Sequence, residues 1–386
     1  MRRVDAIDFT RGLVMIIMAL DHTRDLFHLH ALTQNPTDLA TTTPWLFFTR
    51  WITHLCAPIF VFLSGTSVYL SFQKRADMAA SRQFLLRRGL WLLVLEFTVV
   101  SFGIWFDVKF RTSLFQVIAA IGFGFIALAF LIKLPPKAIG FLGLLILLGH
   151  NLLPASLPTG SLLQQLLGAL LRPNAFQLSA HHTLVIGYPP VPWLGVMLAG
   201  FASGPLFGMA PAKRKALFLK LGLACLALFA LLRYPNFYGD PAPWLMQENT
   251  LFTFLSFINV TKYPPSLLYC CLTLGLMWLL LAFADGWHNA FSRVAILYGQ
   301  VPLFYYLVHW YLLHTLMVLL MFLQGFQWSD LDFGPFHFGR PQQPGGLELG
   351  AVYLVWLSVV AALYPVCRWY GSYRSRHPEK RWLRYL

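Results

Sequence analysis

The 386-residue chain is 58% hydrophobic and only 11% charged, against about 25% charged residues in an average globular domain, and its mean hydropathy is +0.61. That leaves too little polar surface to wrap even one domain in water, so the ordinary soluble classes are excluded and a membrane is the solvent that fits. The 29 Lys and Arg against 15 Asp and Glu, a balance of +14, would suggest a nucleic-acid partner in a soluble protein; in a polytopic one the excess is first a matter of topology.

A span needs roughly 20 apolar residues, and the apolar runs predict spans near 9–29, 45–72, 85–106, 113–133, 137–153, 188–209, 215–233, 264–284, 296–322 and 349–369. The expected fold class is all-α: a polytopic bundle of about ten helices forming a single domain over 1–386. With Arg2 and Arg3 on the cytoplasmic side, 21 of the 29 basic residues fall inside and eight outside, which sets both termini inside and accounts for the charge without nucleic acid. No cleavable leader is expected, because the stretch after Met1-Arg2-Arg3 is interrupted by Asp8, Arg11, Asp21 and His22 and lacks a small-residue cleavage site. Long outer segments are predicted at 30–44, 154–187, 234–263 and 323–348, where function concentrates. The second, read as an appendage, contains an apolar helix from Ser161 to Leu171 suited to the outer membrane surface. A second appendage is the basic tail 370–386, suited to lipid headgroups. Cys56, Cys225, Cys270, Cys271 and Cys367 all lie in apolar runs without CxxC spacing and read as small core residues.

Charge inside a span is expensive and marks function by default. The first span holds Asp8, Arg11, Asp21, His22, Arg24 and Asp25. Arg11 and His22 are eleven helical steps apart, about three turns and roughly 16 Å, which puts both on one stripe. Asp8 is one turn from Arg11 and can pair with it. A histidine with a neighbouring carboxylate, Asp21 or Asp25, is a general base, and an arginine at the far end of the stripe suits a phosphate-rich donor from the cytoplasm. The bland reading is a buried network that holds span 1 to its neighbours. His54 opens span 2 ahead of the small-residue patch Ser64–Ser67, where helix packing competes with a binding role. Tyr306, His309 and His314 lie in span 9, the two histidines on different faces. Glu96 is a lone acid in span 3. Asn259 and Lys262 stand with Tyr263-Pro-Pro-Ser266 at the outer mouth of span 8, as Tyr188-Pro-Pro-Val-Pro-Trp193 does for span 6; both prolyl turns also suit plain helix starts. The pair His181-His182 has no carboxylate beside it, and no metal centre is expected.

Arg3-Val-Asp-Ala-Ile-Asp8-Phe-Thr-Arg11-Gly-Leu and Met18-Ala-Leu-Asp21-His22 resemble the first helix of bacterial membrane proteins related to heparan-α-glucosaminide N-acetyltransferase. Pro58-Ile-Phe-Val-Phe-Leu-Ser-Gly65, Tyr188–Gly195, Lys262-Tyr-Pro-Pro-Ser266 and Phe304-Tyr-Tyr-Leu-Val-His309 follow in the family's order. The resemblance implies an inner-membrane enzyme that moves an acyl group, usually acetyl from acetyl-CoA on the cytoplasmic side, to a sugar hydroxyl or amine outside. Arg11 would orient the donor and His22 act on the acyl transfer, with Asp21 and Asp25 beside it. Asp8, His30, His54, Asn259, Lys262, Tyr306 and His309 would line the substrate. In the animal lysosomal enzymes an Asn stands at the position of His22 and the catalytic His follows helix 1, where this chain has His28 and His30; the Arg11 spacing and the neighbouring carboxylates favour His22. Membrane lipid, acyl-CoA and a glycan or small amino-sugar acceptor are the expected partners, and homodimerisation is left open. The competing classes are a transporter or flippase for a glycan or lipid-linked intermediate, lined by the same charged stripe, and a non-catalytic scaffold.

Overall fold

The computed structural model describes residues 5–75, 77–153, 160–284, 286–287 and 289–385. Arg2 and Arg3, used above for orientation, and residues 154–159 of the second outer segment lie outside the described residues. In chain order the helices are α1 (Asp5–Phe27), α2 (Pro44–Trp51), α3 (Cys56–Arg75), α4 (Met78–Leu95), α5 (Ser101–Trp105), α6 (Val117–Leu131), α7 (Pro136–Gly149), α8 (Leu162–Leu171), α9 (Pro190–Ala202), α10 (Pro211–Arg233), α11 (Thr250–Ile258), α12 (Leu267–Ala284), α13 (Ala290–Gln300), α14 (Pro302–Leu323) and α15 (Leu349–Arg376). The strands are β1 (Thr112–Phe115), β2 (Asn174–Ser179), β3 (His182–Ile186), β4 (Leu331–Asp332) and β5 (Arg340–Pro341). Among the described residues seven helical stretches are long and apolar enough to cross a membrane, and two shorter apolar ones are Val117–Leu131 and Pro136–Leu152.

Two features depart from the expected all-α bundle. Strands β1, β3 and β2 form a small sheet, β1 parallel to β3 and β2 antiparallel to it, so the run read as one span from 113 begins as strand and turns helical only at Val117. The run read as one span over 296–322 is two helices: Asn289 and Ser292 cap α13 reciprocally, and Pro302 opens α14, where its missing N–H and fixed φ cost nothing. The apolar piece of the outer segment does fold as a helix, α8, capped by Ser161 and Gln164, with Leu163, Leu166, Leu167 and Leu170 exposed.

Helix α1 is the hub, packed against α3, α12, α13, α14 and α15. Its first turn carries Asp5 and Asp8 and its last Arg24, which complements the helix dipole. Close approach to α13 is made by paired glycines. A Cβ on Gly12 would lie 1.6 Å from the Ala295 carbonyl oxygen, and one on Gly299 1.8 Å from that of Asp8. The two backbones therefore touch, as small residues permit between membrane helices. At the other end of α1, Arg340 donates to the carbonyls of His28 (2.7 Å) and Leu29 (3.3 Å) and to that of Gly345. This ties the segment after α1 to the segment after α14.

The turn between α5 and β1 is held by Asp107, whose carboxylate accepts from the Arg111 side chain (2.9 Å) and from the Lys109 and Arg111 amides (3.0 Å each). Burial alone would raise this carboxyl, but those donors outweigh it and hold it below the usual carboxylate range. A depressed folded pKa stabilises above the unfolded value of about 3.9, and that contribution is lost as pH falls through the folded value. Amide protection across 107–115, taken relative to the intrinsic exchange rate at each pH, is therefore expected to fall on acidification through that window, and Asp107→Asn to lack that protection at every pH; an acid-insensitive protection factor in the wild type would contradict this.

Candidate active site

Two cavities open on the α1 stripe. The first, about 330 Å³, is lined by Arg11, Ser64, Ser67, Ser71, Ser81 and Arg88 among apolar walls from α3, α4 and α6. Arg11 donates to Ser67 Oγ (2.8 Å) and to the Gly299 carbonyl (3.3 Å) and meets Asp8 at 3.7 Å. At the rim, Tyr385 sits 6.0 Å from the Phe84 ring and 5.9 Å below the Arg88 guanidinium, and Leu383 is buried. The tail expected to lie on headgroups thus packs against the bundle beside this cavity.

The second cavity, about 320 Å³, lies further along α1. Its wall includes Asp21, His22 and Asp25 from α1, Arg50 from α2, Lys262 and Tyr263 before α12, and Trp310 from α14. Val185 from β3 and Leu114 from β1 close one side, and Phe336 and Phe338 between β4 and β5 close another. Both phenylalanines take a left-handed backbone, with φ of 65° and 56°, uncommon for bulky residues, and Phe338 stacks on Trp105 at 4.8 Å. Met18, Phe60, Val117 and Tyr306 line both cavities and form the neck between them.

His22 sits just past this neck. Its ring stacks on Trp310, centroids 4.0 Å apart, and its Nδ1 lies 2.7 Å from His309 Nε2. His309 Nδ1 lies 3.1 Å from the Tyr305 carbonyl, which can only accept, so His309 carries its proton on Nδ1. With both rings neutral, its Nε2 accepts, His22 donates from Nδ1, and the lone pair of His22 rests on Nε2. Among the described residues no hydrogen bond engages that atom, and the side chain faces the second cavity. The arrangement is that of a general base oriented by a second group.

The carboxylates expected to orient His22 are occupied elsewhere. Asp21 pairs with Arg24 (2.9 Å) and Arg50 (3.6 Å), and Asp25 with Arg24 (2.5 Å); both still line the cavity with His22. Tyr306 and Lys262 also stand in that wall. Tyr306 donates to Gln116 (3.3 Å) beside the neck. His54 is buried behind the wall, edge-on to Tyr269 at 5.6 Å, and Asn259 donates to the Thr37 carbonyl (3.0 Å); neither lines the cavity. His30 lies in a surface loop, in a shallow pocket with Asp38 and Thr41, its ring 5.9 Å from that of His28. His28 is buried there, and burial pushes its imidazole below the usual range. Glu96 finds a partner in the first turn of α6, where it accepts from the Ala119 amide at 2.6 Å. Among the described residues no group of three His, Cys, Asp or Glu side chains is arranged to hold a metal.

Sequence reasoning gave no site role to Arg50, Trp310, Arg88 or the Phe336–Phe338 strap, and placed Arg88 only among the cytoplasmic basic residues. Arg50 left a signal, a lone cation inside Trp45-Leu-Phe-Phe-Thr-Arg50-Trp51. The strap left none, since aromatic loop residues are common.

The profile of the heparan-alpha-glucosaminide N-acetyltransferase catalytic domain matches residues 3–239, well over half of the chain. The chain belongs to that family. Membership of the heparan-alpha-glucosaminide N-acetyltransferase family implies acyltransferase activity. The matched stretch carries Arg11, Asp21, His22, Asp25 and Arg50, whereas Lys262, Tyr306, His309 and Trp310 come from beyond it. No curated protein matches the chain significantly.

Proposed function

We propose that the protein transfers an acyl group, in the first instance acetyl, from cytoplasmic acyl-CoA to a sugar hydroxyl or amine on the outer face of the bacterial inner membrane. The observation that carries this reading is the pair of cavities on one helix, meeting at a four-residue neck with His22 just beyond it. The seven long apolar stretches, the two shorter ones and the charged α1 support ten spans. The bias of basic residues towards one set of loops supports cytoplasmic termini.

In this reading the long, thin acyl-pantetheine arm lies in the first cavity, with Arg11 and Arg88 toward its phosphates, and its thioester reaches the neck. The acceptor occupies the second cavity, where aromatic walls suit sugar faces and Asp25 suits hydroxyls. His22 Nε2 removes the acceptor proton as its oxygen or nitrogen attacks the thioester carbonyl. The tetrahedral adduct then collapses, the carbon–sulfur bond breaks, and the thiolate takes the proton from His22. The products are acylated acceptor and free CoA. His309 positions His22 and shares the transient charge of its imidazolium.

Inverted membrane vesicles supplied with acetyl-labelled CoA are expected to label envelope glycans only when the protein is present, as read by mass spectrometry; equal labelling without it would refute the transferase reading. Filling the neck gives a sharper check. Val117→Trp is expected to lower transfer by about 10²-fold, the scale of a misplaced reacting group, while acyl-CoA still binds and the protein stays monodisperse. Undiminished transfer would show that the acyl group takes another route. Transport of unmodified acceptor without consumption of acyl-CoA would move the protein to the carrier class.

A further inference from the structure

Lys262 is 8% exposed, and its side chain lines the second cavity. The ammonium lies 5.1 Å from the centroid of the Tyr263 ring, and among the described residues no carboxylate comes within 4 Å of it. The other charges of this wall are matched. Arg24 and Arg50 hold Asp21, and Arg24 also holds Asp25. With Arg24 counted in from behind the wall, three cations meet two carboxylates in this cluster, and the one without a carboxylate in contact is the buried lysine that looks into the cavity holding His22. A buried charge whose nearest partner is the neutral Tyr263 phenol, with no carboxylate in contact, is costly, and a bound anion relieves that cost.

We infer that Lys262 is the anion subsite of the acceptor: the sugar that receives the acyl group carries a carboxylate or phosphate, which pairs with Lys262 while a neighbouring hydroxyl meets His22. The inference rests on the second cavity being the acceptor site. It narrows that reading, because a cavity with a surplus cation disfavours a protonated amino sugar and favours an acidic sugar acylated on oxygen. The aromatic side chains of the same wall hold the ring of the sugar, and Lys262 fixes its orientation. Lys262 lies outside the stretch matched by the family profile, residues 3–239.

The full-length protein in detergent allows a binding test that does not depend on turnover, since Trp105 and Trp310 line the cavity and report occupancy by fluorescence. The probes are methyl glucoside, methyl glucosaminide, methyl glucuronide and methyl glucoside 6-phosphate. The wild type is expected to bind both acidic probes at least about tenfold more tightly than either of the others, the scale of one charged hydrogen bond; whichever acidic probe is tighter assigns carboxylate or phosphate. Lys262→Gln is expected to abolish that preference with neutral-probe affinity unchanged, and Lys262→Arg to restore most of it. Absence of an acidic preference in the wild type overturns the inference, as does equal loss for all four probes in Lys262→Gln, which marks a structural or oxyanion role. A retained preference without any acyl transfer from acyl-CoA keeps the subsite and rejects the transferase reading. Transfer without the preference does the reverse.

Discussion

His22→Ala is expected to lower acyl transfer by about 10²–10⁴-fold, the range of a positioned general base, without loss of acyl-CoA binding or of the monodisperse profile in detergent. The reasoning is local. Nδ1 of His22 is committed to His309 at 2.7 Å and the ring is clamped on Trp310, so the atom offered to the cavity is Nε2, and alanine removes it without touching a membrane-facing surface. His309→Gln keeps an acceptor for His22 Nδ1 and is expected to retain more activity than His309→Ala. Equal losses at position 309 would mean that His309 does more than orient its neighbour, and full activity in His22→Ala would remove this histidine from the chemistry. The His28 and His30 alternative predicts the opposite ranking, with His30→Ala inactive.

Gly299→Leu is expected to be severely damaging to folding. A Cβ at this position meets the Asp8 carbonyl oxygen at 1.8 Å, its carbon at 2.7 Å and the Gly12 amide at 2.9 Å. All three are backbone atoms, so no rotamer change relieves the clash and α1 must move off α13. Ordinary overpacking costs about 1–3 kcal/mol, and here the cost exceeds that because the neighbours cannot turn aside. Gly371→Ala is the control: its Cβ would sit 3.8 Å from Leu297 and Val301 side chains, in normal contact, with an effect within about 0.5 kcal/mol. Thermal unfolding in detergent reads both, and a Gly299→Leu protein that melts with the wild type would show that the helices do not approach this closely.

Within one helix the sequence reading reached far. Asp8 lies beside Arg11 because they are three residues apart, and Arg11 and His22 share a stripe because eleven residues make three turns. Across helices it did not. His22 and His309 are 287 residues apart, and among uniformly apolar helices no periodicity says which faces meet, so the nearby carboxylates were the natural partners to name. The arginines Arg24 and Arg50 claimed those carboxylates instead, since a buried acid pairs with the nearest cation before it turns to a neutral imidazole. The break before Pro302 was visible in the proline itself, yet hydrophobic length concealed it. The strand β1 was concealed in the same way, its four residues passing for the first turn of a span while its partner β3 lay some 70 residues downstream.

The contact between α1 and α13 has a consequence for how a group crosses the membrane. A carrier exposes its site to one side and then the other by rocking one set of helices against the rest, and the element bearing the site must be free to take part. Here the helix that carries both Arg11 and His22 is welded to its neighbour, main chain against main chain, at one end and laced by Arg340 at the other. Such a helix serves as a fixed rail. On the proposed reaction, what travels is an acyl cargo on a flexible arm, and the barrier is passed by a bond changing owners at a stationary point.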